Sequence, residues 1–252
     1  MDIKYPADLY AALHTGTKGD EDFYRAVCFG AERVLELGCG SGRILGALAG
    51  DVADLHGVDS SEEALALSRA DLPASVKLHR GEMETFEAGS GFDRVLIPFN
   101  GIYCLPDLDS VLRTFVRVEK ALAPDGLLVF DGYAGDSIYE DPAFEEGFDE
   151  EGEVSAVAAR GKHWRVFERS EYERSAQRFT VHYRYVAEED GEEIVATIRH
   201  RYLRLEEAVS LLQSAGLELV VAHGDFDQRV YDDDSERMII TARKRGRVGQ
   251  DI

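Results

Sequence analysis

A short apolar strand that runs directly into a glycine-rich loop constrains this chain more than any other part of its sequence. Residues 33–37 read Arg-Val-Leu-Glu-Leu, residues 38–42 read Gly-Cys-Gly-Ser-Gly, and a helical stretch follows from Arg43 to Ala49. Glycines let the chain turn tightly and let the backbone approach a ligand, while the next helix offers free N–H groups. The loop therefore predicts a small-molecule site at the end of a parallel strand, with a purely structural turn as the alternative.

Strands alternate with helices through the first half of the chain. The apolar runs and turn signals predict five strands, at residues 33–37, 54–59, 76–79, 92–99 and 127–131. Helices are predicted at 43–49, after Ser61, and at 108–122, where apolar residues recur with a helical period. With closing strands at 217–221 and 238–242, the last one antiparallel at the sheet edge, the pattern predicts an α/β fold. Its sheet is doubly wound, mostly parallel, seven-stranded and Rossmann-like.

The helical period disappears between residues 160 and 204, where three apolar runs are typical of antiparallel strands. An acidic stretch at 140–153 is predicted to be a loop or a frayed helix. These changes of pattern divide the chain into three segments. They are residues 1–156, an N-terminal cap and ligand-binding α/β core; residues 157–204, an antiparallel β insertion that shapes a substrate pocket; and residues 205–252, the remainder of the core.

The charge balance limits the partners of this chain. It carries 49 acidic against 28 basic residues, a formal net charge of −21, which disfavours nucleic acids and anionic membranes. No apolar run approaches the roughly 20 residues that span a bilayer, and the first residues lack the pattern of a signal peptide. Three cysteines without CxxC spacing, and seven histidines without ligand spacing, indicate no disulfide framework and no metal site. We expect a soluble, cytoplasmic protein with a small-molecule partner; its oligomeric state is left open.

An acidic residue, Asp59, ends the second predicted strand 17 residues after Gly42. A carboxylate in this place can accept hydrogen bonds from both hydroxyls of a ribose. The alternative is that it caps the next helix together with Ser60 and Ser61.

Motifs in a fixed order give the chain a resemblance to class I S-adenosylmethionine-dependent methyltransferases. The segments that resemble the motifs of that family are Glu36–Gly42, Gly57–Ser61, Gly81–Met83, Phe92–Asn100 and Leu122–Leu128. Two positions depart from the usual pattern: Glu82 stands where Asp is more frequent, and Asp125 replaces a glycine. The resemblance covers residues 30–133 and implies a methyltransferase fold with S-adenosylmethionine as cofactor.

The flanking regions narrow this resemblance. Residues 5–24, with Tyr5, Tyr10, Phe23 and Tyr24, are similar to the N-terminal segment that closes over the cofactor in small-molecule methyltransferases. The β-rich insertion, followed by residues 224–227 and 235–239, resembles aminosugar N,N-dimethyltransferases, in which antiparallel strands roof the active site.

The resemblance assigns cofactor binding to eleven residues. They are Tyr10, Glu36, Gly38, Gly40, Gly42, Asp59, Ser60, Glu82, Met83, Phe99 and Asn100.

Methyl transfer to nitrogen requires a neutral amine in line with the methyl carbon and little acid–base chemistry, whereas an oxygen or acidic carbon needs a base or a metal. The candidates for a catalytic group are Tyr103, Tyr133 and His200, followed by His223 and Asp225. Each of these side chains could instead be a packing residue. His200 lies in a basic stretch, residues 199–202, which is either a strand with one solvated face or a lining for a carboxylate- or phosphate-bearing substrate.

The predicted function is direct in-line transfer of a methyl group to a small molecule, at an amine nitrogen or a hydroxyl. A protein that binds S-adenosylmethionine as a sensor or inactive partner is the alternative. An NAD-linked oxidoreductase is disfavoured because Arg43 occupies the place of the last glycine in the dinucleotide pattern. A nucleic-acid methyltransferase is disfavoured by charge. It is also disfavoured by residues 98–101, which read Pro-Phe-Asn-Gly where amino-methylating DNA enzymes have Asp/Asn-Pro-Pro-Tyr/Phe.

Overall fold

The structure, a computed structural model, describes residues 5–144 and 147–246. Within these ranges the helices are α1 (Ala7–Leu13), α2 (Asp20–Cys28), α3 (Arg43–Leu48), α4 (Glu62–Asp71), α5 (Leu108–Ala121), α6 (Gly135–Glu140) and α7 (Leu205–Ser214). The strands are β1 (Arg33–Leu37), β2 (Asp54–Asp59), β3 (Lys77–Arg80), β4 (Phe92–Ile97), β5 (Leu122–Tyr133), β6 (Gly147–Phe148), β7 (Gly152–Ala159), β8 (Lys162–Glu173), β9 (Arg178–Ala187), β10 (Glu193–Arg201), β11 (Leu217–His223) and β12 (Arg237–Lys244). No helix among the described residues has both the length and the apolar character needed to cross a membrane.

The main sheet confirms the predicted doubly wound α/β fold. Among the described residues it has seven strands in the order β11-β12-β5-β4-β1-β2-β3. Strands β1 to β5 are parallel, and β12 runs antiparallel to both β5 and β11. The expectation that the last strand lies at the edge was wrong, because β12 pairs on both sides and β11 forms the edge. In β12 the residues Met238, Ile239 and Ile240 are all fully buried, as expected for a strand covered on both faces.

Two hydrophobic clusters cover the two faces of this sheet. One joins it to helices α2, α3 and α4 and includes Tyr24, Leu45 and Leu65. The other joins it to α5, α7 and the second sheet, where Phe115 and Trp164 are buried. The apolar residues that recur with a helical period over 108–122 form the face of α5 that packs against the sheet. The carboxyl ends of the parallel strands are therefore left as the edge where a ligand can enter.

The second sheet is antiparallel and confirms the predicted insertion. Strands follow the order β10-β9-β8-β6, and β7 also pairs with β8. Alternate residues of β9, including Tyr183 and Tyr185, are buried against the core. This sheet begins earlier than the sequence indicated, since the boundary expected between 156 and 157 falls inside β7. The acidic stretch at 140–153 contributes β6 and the start of β7, and its residues 145–146 lie outside the described residues, as do 1–4 and 247–252.

A buried carboxylate, Asp131 of β5, ties three distant segments to the end of the sheet. It accepts hydrogen bonds from the Tyr24 hydroxyl at 2.6 Å, from the backbone N–H of Phe99 at 2.8 Å and from Arg237 Nη1 at 3.4 Å. Arg237 Nη2 also donates to Thr17 Oγ1 at 2.5 Å. Burial raises the pKa of Asp131, while Arg237 and the other donors oppose that rise. The carboxylate of Asp131 therefore holds α2, the segment after β4 and β12 together beside the candidate site.

We expect Asp131→Asn to lower the free energy of unfolding by about 3 kcal/mol, because the partly buried Arg237 guanidinium then lacks its counter-charge. Urea unfolding monitored by circular dichroism measures the change. Glu218→Gln, which removes the partner of Arg243 in an exposed ion pair, is the control and should change stability by less than about 1 kcal/mol. Equal losses in the two variants would contradict the anchoring role of Asp131.

Candidate active site

One cavity of about 700 Å³ lies where the carboxyl ends of β1, β2 and β4 meet the N-terminal segment and the second sheet. Ligands of doubly wound folds bind at this edge of the sheet. Nine of the eleven predicted cofactor residues line it, namely Tyr10, Glu36, Gly38, Gly40, Asp59, Ser60, Glu82, Met83 and Phe99. Two others, Gly42 and Asn100, are not among the lining residues.

The glycine loop presents its open side to this cavity. Gly40 has a φ of +53°, and no heavy atom lies within 4 Å of the place that a Cβ would take. Gly42, with a φ of +87°, faces the other way, since a Cβ there would lie 2.7 Å from Leu72 Cδ1 and 2.9 Å from Ser68 Oγ. Gly40 thus leaves room for a ligand, whereas Gly42 allows the loop to pack closely on α4.

Asp59 shapes the loop and keeps capacity for a ligand. Its Oδ2 accepts the backbone N–H of Gly40 at 2.8 Å, and its Oδ1 accepts that of Ser61 at 2.8 Å. The side chain that caps α4 is Ser61, whose Oγ accepts from the Ala64 N–H at 3.3 Å. A carboxylate offers about four lone pairs, so two remain for a pair of ligand hydroxyls.

Glu36, near the end of β1, lies in the wall of the cavity and is 97% buried, with only 3% of its surface exposed. Its Oε2 has no hydrogen-bond partner among the described residues. Burial raises its pKa to about 8, the nearby charge of Asp59 adds to the rise, and Arg43 opposes it. Buried polar atoms without partners are rare in folded proteins, so this oxygen fits a cationic or hydrogen-bonding group of a bound cofactor.

Arg43, the residue that departs from the dinucleotide pattern, ties the N-terminal segment across the glycine loop. Its guanidinium binds Asp20 at 2.7 and 3.0 Å and Glu21 at 3.5 Å, and it lies 5.7 Å from the centre of the Phe99 ring. The sequence indicated Arg43 only as evidence against NAD. In the structure it lines the cavity and fixes the start of α2 beside it.

Three lining residues, His14, His182 and Thr197, were not predicted and are distant from the motifs in sequence. Tyr5 and Arg199 also line the cavity; they lie in the N-terminal segment and in the basic stretch 199–202, for which the sequence had indicated a role at the site. The His14 ring centre lies 4.3 Å from that of Tyr10, 5.5 Å from that of Tyr183 and 6.1 Å from that of Phe99. The one local signal for His14 is its position four residues after Tyr10, which places both rings on one side of a helix.

Two of the predicted catalytic side chains belong to the packing around the end of β5. The Tyr103 ring is fully buried against Gly132, and its hydroxyl donates to the Tyr133 carbonyl oxygen at 2.8 Å. The Tyr133 N–H donates to Asn100 Oδ1 at 3.0 Å. Burial raises the pKa of both tyrosines. Neither tyrosine lines the cavity, and Asn100 acts as a link between β4 and β5.

The third candidate, His200, is buried against Phe179 of the second sheet and Tyr133 at the end of β5. Its ring centre is 5.1 Å from that of Phe179 and 6.1 Å from that of Tyr133, and it does not line the cavity. Burial lowers the pKa of His200 to about 4, with a smaller contribution from His14. The further candidates His223 and Asp225 are also absent from the lining. Among the described residues, no three His, Cys, Asp or Glu side chains come together as a metal site would require.

Comparison with known proteins finds several that are similar to this chain. The methyltransferase domain family matches residues 34–126. A Geobacillus sp. (strain WCH70) protein, named only as a methyltransferase, is 29% identical over 223 residues, 85% of each chain. The dTDP-3-amino-3,6-dideoxy-alpha-D-glucopyranose N,N-dimethyltransferase of Streptomyces fradiae is 32% identical over 138 residues, 50% of this chain and 52% of that one. The CcbJ methyltransferase structure from Streptomyces caelestis has a TM-score of 0.80 at 26% identity and covers 97% of this chain and 100% of its own. These likenesses confirm the resemblance predicted from the motifs.

The unpartnered carboxyl of Glu36 predicts how stability depends on pH without a ligand. The folded state keeps its proton up to about pH 8, whereas the ordinary pKa is 4.5. Between these values the folded state binds more protons, so the free energy of unfolding falls as the pH rises. Glu36→Gln should flatten this dependence and, at pH 8, be more stable than the wild type by about 1 to 3 kcal/mol.

Urea unfolding at several pH values between about 5 and 8 measures the effect. The matched control is Glu32→Gln, since Glu32 is an exposed acid just before β1 and should leave the pH dependence unchanged. A Glu36→Gln curve parallel to that of the wild type would contradict the prediction.

Proposed function

We propose that this chain is an S-adenosylmethionine-dependent methyltransferase, and that it methylates an amine nitrogen of a small molecule by direct in-line transfer. The match to the methyltransferase domain family and the likeness to the CcbJ methyltransferase support the first part of the proposal. The observation that carries the proposal is the continuity of the cavity. One space joins the glycine loop and Asp59 to the aromatic lining formed by Tyr10, His14 and Phe99. A cofactor held at the first end would present its methyl group to an acceptor at the second.

Different lining residues would bind different parts of the cofactor. Asp59 has two lone pairs left for the ribose hydroxyls, and Gly38 and Gly40 supply backbone at close range. Glu36 offers its unpartnered oxygen to the cationic amino group. The remaining cofactor residues, Tyr10, Ser60, Glu82, Met83 and Phe99, line the rest of the space. When bound, the cofactor supplies an electrophilic methyl group on a positively charged sulfur.

The lining at the acceptor end favours a neutral nucleophile. Burial lowers the pKa of His14 to about 4, which means that a proton on nitrogen is disfavoured there. An amine that enters the same surroundings is likewise deprotonated more easily, and its lone pair becomes available. Proximity and the exclusion of water then supply much of the rate. A hydroxyl is the second candidate acceptor, but it needs a base to become nucleophilic.

The opposite wall of the cavity suits an acidic substituent on the substrate. His182 pairs across β9 and β10 with Thr197, and both line the cavity together with Arg199. Arg199 brings a positive charge to this wall, and Glu171 lies 3.6 Å from His182 Nε2. In a chain with a net charge of −21, such a wall favours an anionic group such as a phosphate. The aminosugar relative acts, by its name, on a dTDP-linked sugar, and we propose a phosphate-bearing aminosugar or similar amine as substrate.

Cofactor binding depends on Asp59 in this proposal. We expect Asp59→Asn to weaken the binding of S-adenosylmethionine by about 1.5 to 3 kcal/mol, because hydrogen bonds to a charged acceptor are lost. Isothermal titration calorimetry measures the affinity, and NAD should give no heat. The control is Glu62→Gln at the start of α4, the helix that follows Asp59. It changes an exposed ion-pair partner of Arg69 and should bind the cofactor normally. An unchanged affinity of Asp59→Asn would remove this residue from the ribose site.

The proposed reaction is tested by offering labelled S-adenosylmethionine with separate pools of amines, aminosugars with and without phosphate, and hydroxylated compounds. We expect label in the amine pools, and a lower KM for phosphate-bearing aminosugars that rises as salt screens the charge. Label in the hydroxylated pool alone would overturn the amine as acceptor. Binding of the cofactor without transfer to any pool would favour the sensor instead.

A further inference from the structure

His14 lies at the acceptor end of the cavity with one ring nitrogen held and the other available. It follows the last residue of α1 and lines the cavity. Its ring is enclosed by those of Tyr5, Tyr10, Tyr183 and Phe99, with ring centres between 4.3 and 6.1 Å away. The methyl-accepting atom of a substrate in this part of the cavity would therefore meet the edge of this imidazole.

A chain of hydroxyl groups fixes which nitrogen of His14 carries the proton. The Tyr185 hydroxyl donates to the Leu9 carbonyl oxygen at 3.4 Å, because a carbonyl can only accept. The Tyr5 hydroxyl, 2.5 Å away, then donates to the Tyr185 oxygen. The Tyr5 oxygen is left to accept from His14 Nε2–H at 3.3 Å. A neutral imidazole protonated at Nε2 has its lone pair on Nδ1, and no hydrogen bond within the described residues occupies Nδ1.

The charge state of His14 agrees with this assignment. Burial lowers its pKa to about 4, and the groups that face it are the phenols of Tyr5, Tyr10 and Tyr183 together with the imidazole of His200. His14 is thus a neutral hydrogen-bond acceptor at physiological pH, and it has a fixed tautomer.

We propose that His14 Nδ1 accepts one N–H of the substrate amine and thereby restricts methylation to primary and secondary amines. This inference rests on the proposed function, in which the acceptor is an amine. With one N–H held by Nδ1, the nitrogen lone pair is directed at the methyl carbon. The N–C bond forms as the carbon–sulfur bond breaks, and that electron pair stays on sulfur. The product leaves as an ammonium ion and loses its proton to water.

A consequence of this geometry is a limit on the number of methyl groups. A primary amine has an N–H for the first transfer, and the secondary amine product still has one for the second. The tertiary amine has none, so it cannot bind to Nδ1 in the reactive orientation. The chain therefore converts a primary amine to its N,N-dimethyl product and stops there.

The test compares His14→Phe, which keeps a ring of similar size without an acceptor, with His14→Asn, whose side-chain oxygen can replace Nδ1. With a primary amine that the wild type methylates, we expect His14→Phe to lose about 10- to 100-fold in kcat, the effect of one hydrogen bond to the reacting group. His14→Asn should stay within about fivefold of the wild type. Cofactor affinity, measured by calorimetry, should be unchanged in both.

The preference for an N–H provides a readout that a packing role would not change. Primary, secondary and tertiary forms of the same amine are offered, and the products are identified by mass spectrometry. We expect no trimethyl product from the wild type or His14→Asn, and a lost preference for the N–H-bearing forms in His14→Phe. Equal losses in both variants, or an unchanged preference in His14→Phe, would overturn the proposal.

Tyr5→Phe is an independent variant, used also if His14→Phe fails to fold. It removes the hydroxyl that holds Nε2 and should lower kcat while leaving the KM for the amine unchanged. If kcat does not fall in Tyr5→Phe, the hydroxyl chain has no role and the proposal fails. Failure of the proposed function is distinguishable, since the wild type would then methylate no amine at all.

Discussion

The buried carboxylate of Asp131 is the contact on which the geometry of the candidate site depends. It is only 1% exposed, and it accepts hydrogen bonds from α2, from Phe99 just beyond β4 and from β12. Phe99 and Asn100, which follow β4, both have positive φ values, 53° and 61°, a conformation that costs energy for residues with a side chain. The bond from the Phe99 N–H to Asp131 compensates for part of this cost. Phe99 can therefore line the cavity.

The electrostatics of the cavity match a cationic ligand. Glu36 and Asp59 lie near each other at the glycine loop, and the charge of Asp59 disfavours ionisation of Glu36 when the site holds no positive charge. Arg43 offsets only part of this repulsion because its guanidinium is bound to Asp20 and Glu21. A cofactor with a positively charged sulfur and a cationic amino group would complete the balance.

Much of the cofactor end was predictable from the sequence, and little of the acceptor end was. Gly40 and Asp59 line the cavity as their motif spacing indicated, because the turn after β1 and the end of β2 are short-range features. Tyr103 and Tyr133 were chosen because they follow strands whose ends open on the site. The ring of Tyr103 instead turns into the core, since Gly132 leaves space for it, and the ring of Tyr133 packs against those of Phe179 and His200. The direction of a side chain beyond a strand end depends on what packs there, and a single strand pattern carries no such information.

The sequence by itself determined the α/β alternation, the seven strands, the glycine loop and the family, because these depend on local hydrogen bonding, glycine conformations and apolar periods. Only the tertiary structure decided which side chains surround the acceptor. Tyr5 and Tyr185 are in contact across 180 residues, and His14 reaches Tyr183 only because the N-terminal helix packs under the second sheet. The place of β12 inside the sheet was decided in the same way. Such contacts follow from how two sheets and a helix bury their apolar faces together, and no local pattern specifies that arrangement.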